Sequence, residues 1–259
     1  MPQIRLHRPN AILFDVTGSA SNTTFVNRFL IHYLRNSVQN FIGNNWGHPQ
    51  IEQDIKLLRL EARKNPEWPQ IPESEDILTI QQSMNNLVGY LIDKNIDSLP
   101  FSMFRFHVWF DGYEKGLLKT PIYSDVAIQM KKWRCDYDIK LYVLSHGWAE
   151  ANKVFMSNTN NGDMSLLIDD YFDTSMGLLH ESKTYENVLK RIQQSPCNVI
   201  FLTKSASAAK AALIAGIFPI LVLTHKRMYD MLSEVDKRNM AIVRTMNEIE
   251  FEAINPDHH

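Results

Sequence analysis

From residue 139 onward, short apolar runs alternate with helical patterns, and few folds accommodate that alternation. The runs Ile139–Ser145, Leu166–Phe172, Asn198–Thr203 and Phe218–Leu223 predict strands, and the segments 148–156, 183–193, 206–215 and 229–239 predict helices between and after them. Strands spaced this way pair in parallel, because each return needs a crossover helix. A further helix is expected over Asp125–Arg134, and a short edge strand over Met246–Phe251. A fifth buried strand stands apart near the start, where Ala11, Ile12, Leu13 and Phe14 run into Asp15 and then Gly18.

Between that first strand and the rest lies a block of a different kind. Phe25, Phe29, Leu30, Tyr33, Leu34, Val38 and Phe41 recur at helical spacing, with Asn22 and Thr23 as candidate helix starts. Helices are also expected over Ile51–Lys64, Ile77–Lys94 and Phe101–Lys115, separated by a loop holding Pro66, Pro69 and Pro72. The expected organisation is a doubly wound α/β core, residues 1–24 and 115–259, with a helical cap, 25–114, inserted after the first strand.

Asp15 then occupies a telling place. Open parallel sheets bind ligands beyond the carboxyl ends of their strands, and Asp15 follows the first strand there. Ser145 ends the second strand and is followed by His146 and Gly147, so a hydroxyl and turn amides can meet an anion at the same edge. Asp169, Asp170 and Asp173 add acids near a third strand, without a recognisable metal-ligand spacing.

Composition narrows the partners. Of 259 residues 44% are hydrophobic and 22% charged, the net charge is −2 and no block of like charges occurs, so neither a nucleic-acid nor a membrane surface is expected. The apolar stretch near 211–223 is too short for a bilayer and contains Pro219, and the first ten residues lack the apolar core of a leader. Cys135 and Cys197 are expected as free thiols in a cytoplasmic protein, with nuclear entry open and a monomeric state assumed. His258 and His259 are set aside from metal arguments.

Six segments, in order, resemble the enolase-phosphatases of methionine salvage, also called acireductone synthases, within the haloacid dehalogenase (HAD) superfamily. They are DVTGSASNTTFV from Asp15, NWGHPQIEQDIKLLRLEA from Asn45, HVWFDGYEKG from His107, VLSHGWAEANKVFMSN from Val143, FDTSMGLLHESKTYENV from Phe172 and VIFLTKSASAAKAALIAG from Val199. The resemblance spans nearly the whole chain. It implies a HAD-like, Rossmann-like fold with Asp15 as the phosphoryl-accepting nucleophile, a role carboxylates can take because they stay ionised at neutral pH. It implies a phosphate-binding loop at Ser145, His146 and Gly147, and it brings His107 and Trp109 forward as substrate-facing cap residues, although helical aromatics are usually core.

Four positions depart from the family, the first being His146, which stands where the family has serine. Thr17 replaces the acid that protonates the leaving group and activates water, although phosphoryl-transferring pumps of the superfamily also carry threonine there. Leu179 replaces the lysine that holds phosphate, with Lys183 one helical turn later as a possible substitute and His180 adjacent. Lys204 replaces an aspartate that ligates magnesium, an ion that wants hard oxygen donors. Like charges about 4 Å apart repel by on the order of 4 kcal/mol at an effective dielectric near 20. The ammonium of Lys204 is instead expected beside Asp15, able to pair with it.

The expectation is a catalytically impaired relative that binds a small phosphorylated ligand or a protein partner and needs no cofactor. The alternative is an active magnesium-dependent acireductone synthase using Asp15 on a methionine-salvage diketone phosphate. Metal-free chemistry of the dehalogenase type is a third option, weakened by Leu179.

Overall fold

The computed structural model describes residues 3–22 and 24–252; the helix-start candidate Thr23 and the terminal histidines lie outside them. The chain divides into two compact units, Met1–Thr23 with Lys119–His259, and Thr24–Leu118.

The first unit is built on a parallel sheet. β1 (Ile4–Leu6) precedes β2 (Ala11–Phe14), and β3 (Lys140–Leu144), β4 (Asp170–Phe172), β5 (Val199–Thr203), β6 (Phe218–Val222), β7 (Ala241–Val243) and β8 (Ile249–Phe251) follow. Six of these form one sheet in the order β4-β3-β2-β5-β6-β7, every pair parallel. From β2 the chain moves outward through β3 and β4, then returns to β5 on the other side of β2. That reversal places the topological switch at β2 and β5, and with it the carboxyl ends bearing Asp15 and Lys204.

All four residues of β2 and all five of β5 are buried, as continuous apolar strands covered on both faces must be. Ile12, Phe14, Leu141, Val143, Ile200 and Leu202 pack with Val126, Met130 and Trp133 of α5 (Ser124–Cys135). On the opposite face Leu13, Leu144 and Phe201 meet Tyr185, Val188 and Leu189 of α7 (Ser182–Ile192) and the alanines of α8 (Ala206–Ile214). Between β3 and β4 lies α6 (Ala149–Ser157).

Local differences from the sequence reading have physical causes. Only Asp170–Phe172 of the expected third strand pairs in the sheet, because Ser165–Leu167 forms a 3-10 turn with Asp163 accepting from Ser165. The expected last helix breaks into α9 (Lys226–Asp230) and α10 (Glu234–Asn239), where Ser233 caps the second piece through Asp236. The main sheet ends at β7, while Ile249–Phe251 pairs with Ile4–Leu6 in a two-stranded sheet.

The second unit is helical: α1 (Ile31–Asn44), α2 (Pro49–Lys64), α3 (Ile77–Asp93) and α4 (Leu99–Glu114), preceded by a wide turn over Phe25–Leu30. The starts of α3 and α4 are capped by Asp76 and Ser98, whose side chains accept from Thr79 and Phe101. Leu34, Val38, Leu58, Met84, Leu87, Phe104 and Val108 share one core. After α4 the amides of Leu117 and Leu118 return to the Gly112 carbonyl, which keeps those residues with the helical unit.

Candidate active site at the carboxyl edge of the sheet

β2 delivers Asp15 to the sheet's edge and the backbone then turns sharply. Asp15 is 7% exposed, and its amide still donates to Leu202 of β5. Beyond it, Val16–Ala20 forms a wide turn with non-helical torsions at Thr17 and at Gly18, whose φ is 109°. Only glycine takes that conformation easily. The turn is closed by the Gly18 amide donating to Ser21, the Ser21 amide donating to Val16 and the buried Ser19 hydroxyl donating to the Asp15 carbonyl. The Thr17 amide donates to the Asp15 carboxylate at 3.2 Å.

Gly18 is also where Lys204 arrives. A Cβ placed on Gly18 would fall 2.2 Å from Lys204 Cδ and 2.6 Å from its Nζ, so the lysine tail lies directly over the glycine. Lys204 follows Thr203, the last residue of β5, and is half-buried. Its ammonium acts on Asp15 as a neighbouring charge; among the described residues no hydrogen bond or contact ion pair holds it.

These surroundings set the acidity of Asp15. Burial raises its pKa from 3.8 to about 6 against the opposing influence of Lys204, the Thr17 amide, the Ser145 hydroxyl and His146. Burial also lowers the pKa of Lys204, which the Asp15 charge resists. At neutral pH the carboxylate is therefore ionised and poorly solvated, a condition suited to attack or to holding a cationic partner.

Ser145 is buried just past β3, and its hydroxyl accepts from the Gly147 amide at 3.3 Å, which makes it a turn-former as well as a neighbour of Asp15. His146 and Gly147 are exposed beside it. The loop is fastened by Asn152, 2% exposed on α6, whose amide donates to the carbonyls of Gly147 and Trp148. Sequence reasoning does not single out Asn152 or Ser19; the available signal is a small polar residue at an inward position next to a strand end.

Leu179 does not reach this edge as a charged residue could. It is 2% exposed, packed with Leu13, Leu144 and Phe201, and its carbonyl accepts from the Tyr185 hydroxyl. Lys183 leaves the vacancy unfilled, since its amine is exposed and bonded to Glu186 at 2.8 Å. His180 is exposed. Thus Asp15, Thr17, Ser145 and Lys204 are brought together, while Leu179 and Lys183 are not functional substitutes for a phosphate-holding amine.

The remaining acids have structural partners. Asp169 lies at the opposite, amino edge, where it receives the Leu141 amide and pairs with Arg134 and Lys140. Asp170 accepts from the Tyr171 amide, and Asp173 accepts from the amides of Ala149 and Ser175. Magnesium, implied by the resemblance, finds a poor donor set. The strand end that should add a carboxylate to Asp15 carries an ammonium, and among the described residues no group of three or more His, Cys, Asp or Glu side chains could hold a metal ion.

In the helical unit, His107 bonds to the buried Asp54 at 2.7 Å and Trp109 donates to the Leu30 carbonyl at 2.9 Å. Both are packing and bonding residues of that unit. Cys135 and Cys197 are free and exposed, and among the described residues no helix is long and apolar enough to cross a membrane.

No family model matches the chain. It is 29% identical over 248 residues to enolase-phosphatase E1 of Danio rerio, covering 92% of this chain and 93% of that protein. It is 30% identical over 207 residues to enolase-phosphatase E1 of Sulfurihydrogenibium sp. (strain YO3AOP1), covering 80% and 84%. Among solved structures it is similar to the UTR4 protein of Saccharomyces cerevisiae, with a TM-score of 0.71 at 19% identity over 92% of this chain and 98% of that one. The HAD-hydrolase YfnB of Bacillus subtilis, solved bound to magnesium, shares the fold at a TM-score of 0.54 and 12% identity over 93% and 96%.

Proposed function

Since this chain belongs to the enolase-phosphatase E1 family, with that family's HAD-like α/β fold, we propose that it is a relative from methionine salvage that binds a small phosphorylated ligand without hydrolysing it efficiently. The observation that carries this reading is the burial of Leu179 in the apolar core while Lys183 is bonded outward to Glu186. Phosphoryl transfer depends on positioning and charge neutralisation, so an edge without its phosphate-holding amine keeps the attacking group and loses what makes it react. Losing one preorganised electrostatic contact slows a reaction by roughly 100- to 1000-fold. Thr17 and Lys204 remove two further aids, although such losses do not simply multiply.

A second reading has its own observation. Asp15 remains at the strand end with the Thr17 amide and Ser145 hydroxyl beside it, as a nucleophile needs, which favours an active magnesium-dependent acireductone synthase. One assay separates the two. Hydrolysis of a generic phosphate monoester with magnesium is expected to be no faster with the natural chain than with Asp15→Asn. Turnover that Asp15→Asn abolishes would overturn the impaired reading and establish the active one.

A further inference from the structure

The position that should bring a second carboxylate to a metal ion brings instead the aliphatic tail and ammonium of Lys204, laid over Gly18. Three features make this more than a lost ligand. The tail is half-buried against a turn whose backbone conformation is one glycine takes readily, so a side chain at Gly18 would collide with it. The amine is not consumed by a contact pair with Asp15 or by another hydrogen bond among the described residues. It also sits at the switch point between β2 and β5, beside the Asp15 carboxylate and the turn amides.

We propose that Lys204 is the resident cation of this edge: it stands in place of a divalent ion, so Asp15 recruits no metal and anion binding is metal-independent. A lysine cannot reproduce a dication. It brings one charge and no open coordination positions, so it can neutralise an anion's oxygen and donate to it but cannot bridge a carboxylate and a phosphoryl oxygen as a Lewis acid. The substitution therefore favours retention of an anion over its turnover. This inference rests on the ligand-binding reading above for the nature of the anion, but its claim about metal does not.

Two measurements on the full chain separate those parts. In the first, free Mn2+ is followed by its electron paramagnetic resonance signal during titration with protein. The natural chain and Lys204→Met should leave the Mn2+ signal unchanged, and Lys204→Asp, which restores a second carboxylate, should deplete it in a manner reversed by adding Asp15→Asn. Mn2+ bound by the natural chain and released in Asp15→Asn would overturn the proposal. Lys204→Asp that is folded by circular dichroism and binds no Mn2+ would overturn it too.

In the second, inorganic phosphate is titrated calorimetrically in EDTA and in magnesium. The natural chain should bind equally in both. Lys204→Met should bind on the order of tenfold more weakly, the loss expected for one charge-assisted hydrogen bond. Phosphate binding that requires magnesium would overturn the resident-cation inference. Absence of phosphate binding in either buffer, with the Mn2+ results as expected, would instead remove the phosphorylated-ligand reading and leave the metal claim standing.

Discussion

Asp15 stands just past the carboxyl end of β2, and Asp169 stands just before β4 at the opposite edge of the same sheet. Asp15 is buried, whereas the Asp169 side chain is 18% exposed, and their surroundings differ. Asp169 receives the Leu141 amide at 3.0 Å and two cations, Arg134 at 3.3 Å and Lys140 at 3.2 Å. Asp15 receives the Thr17 amide, the Ser145 hydroxyl and a cation that acts without touching it. The amino edge uses its charge to fasten β3 to β4. The carboxyl edge leaves its buried charge without a contact ion pair, the arrangement by which binding sites trade stability for reactivity.

The largest test of that contrast is Asp15→Asn. The folded pKa of Asp15, about 6, lies above its ordinary value of 3.8, so the folded state holds the proton more tightly than the unfolded chain. Its contribution is most favourable below pH 3.8 and is lost as pH rises through 6, amounting to about 3 kcal/mol of destabilisation at neutral pH. Asp15→Asn should therefore stabilise the fold by up to that amount in urea unfolding at pH 7.5, with the gain vanishing near pH 4. An unchanged or lowered urea midpoint at pH 7.5 would mean Asp15 is as well compensated as Asp169.

The second test reverses the sign. Asp169→Ala leaves Arg134 and Lys140 facing each other and strips the Leu141 amide of its acceptor. The partners are partly exposed, so screening reduces the ionic share, and a loss of about 2 kcal/mol is expected, mostly from the amide. The same urea experiment reads it. A loss that disappears in high salt would assign the contribution to the charges alone.

How much of this was legible follows from what each residue depends on. The strands read correctly because β2 and β5 are apolar along their whole length, a pattern set by burial on both faces. Asp15 and Ser145 were visible because a strand end is a local feature. The amino-edge role of Asp169 was not, since it depends on Arg134 and Lys140 being folded against it from other elements. The outward turn of Lys183 depended on helical phase, which a boundary error of one or two residues reverses. That Lys204 lies near Asp15 was legible through the resemblance, which carries the strand order, but its seat over Gly18 was not, since that depends on the path of the folded turn.

Asp173 supplies the control that separates location from engagement. It shares the carboxyl edge with Asp15, following the last residue of β4, yet it is spent on structure. Trp148 starts α6 without a side-chain cap of its own, and Asp173 provides one across the chain, accepting from Ala149 at 2.9 Å as well as from Ser175. Burial tends to raise its pKa, but the Ser175 hydroxyl and the two amides outweigh that and hold it below 3.8. Its stabilisation is therefore present above 3.8 and lost as pH falls through the lower folded value, opposite in sign to Asp15. Asp173→Ala should cost about 1 kcal/mol in urea unfolding at pH 7.5, as removal of a helix cap does. If it stabilised instead, the carboxyl edge itself would disfavour any charge, and the raised pKa of Asp15 would follow from its location and not from its lack of a contact ion pair.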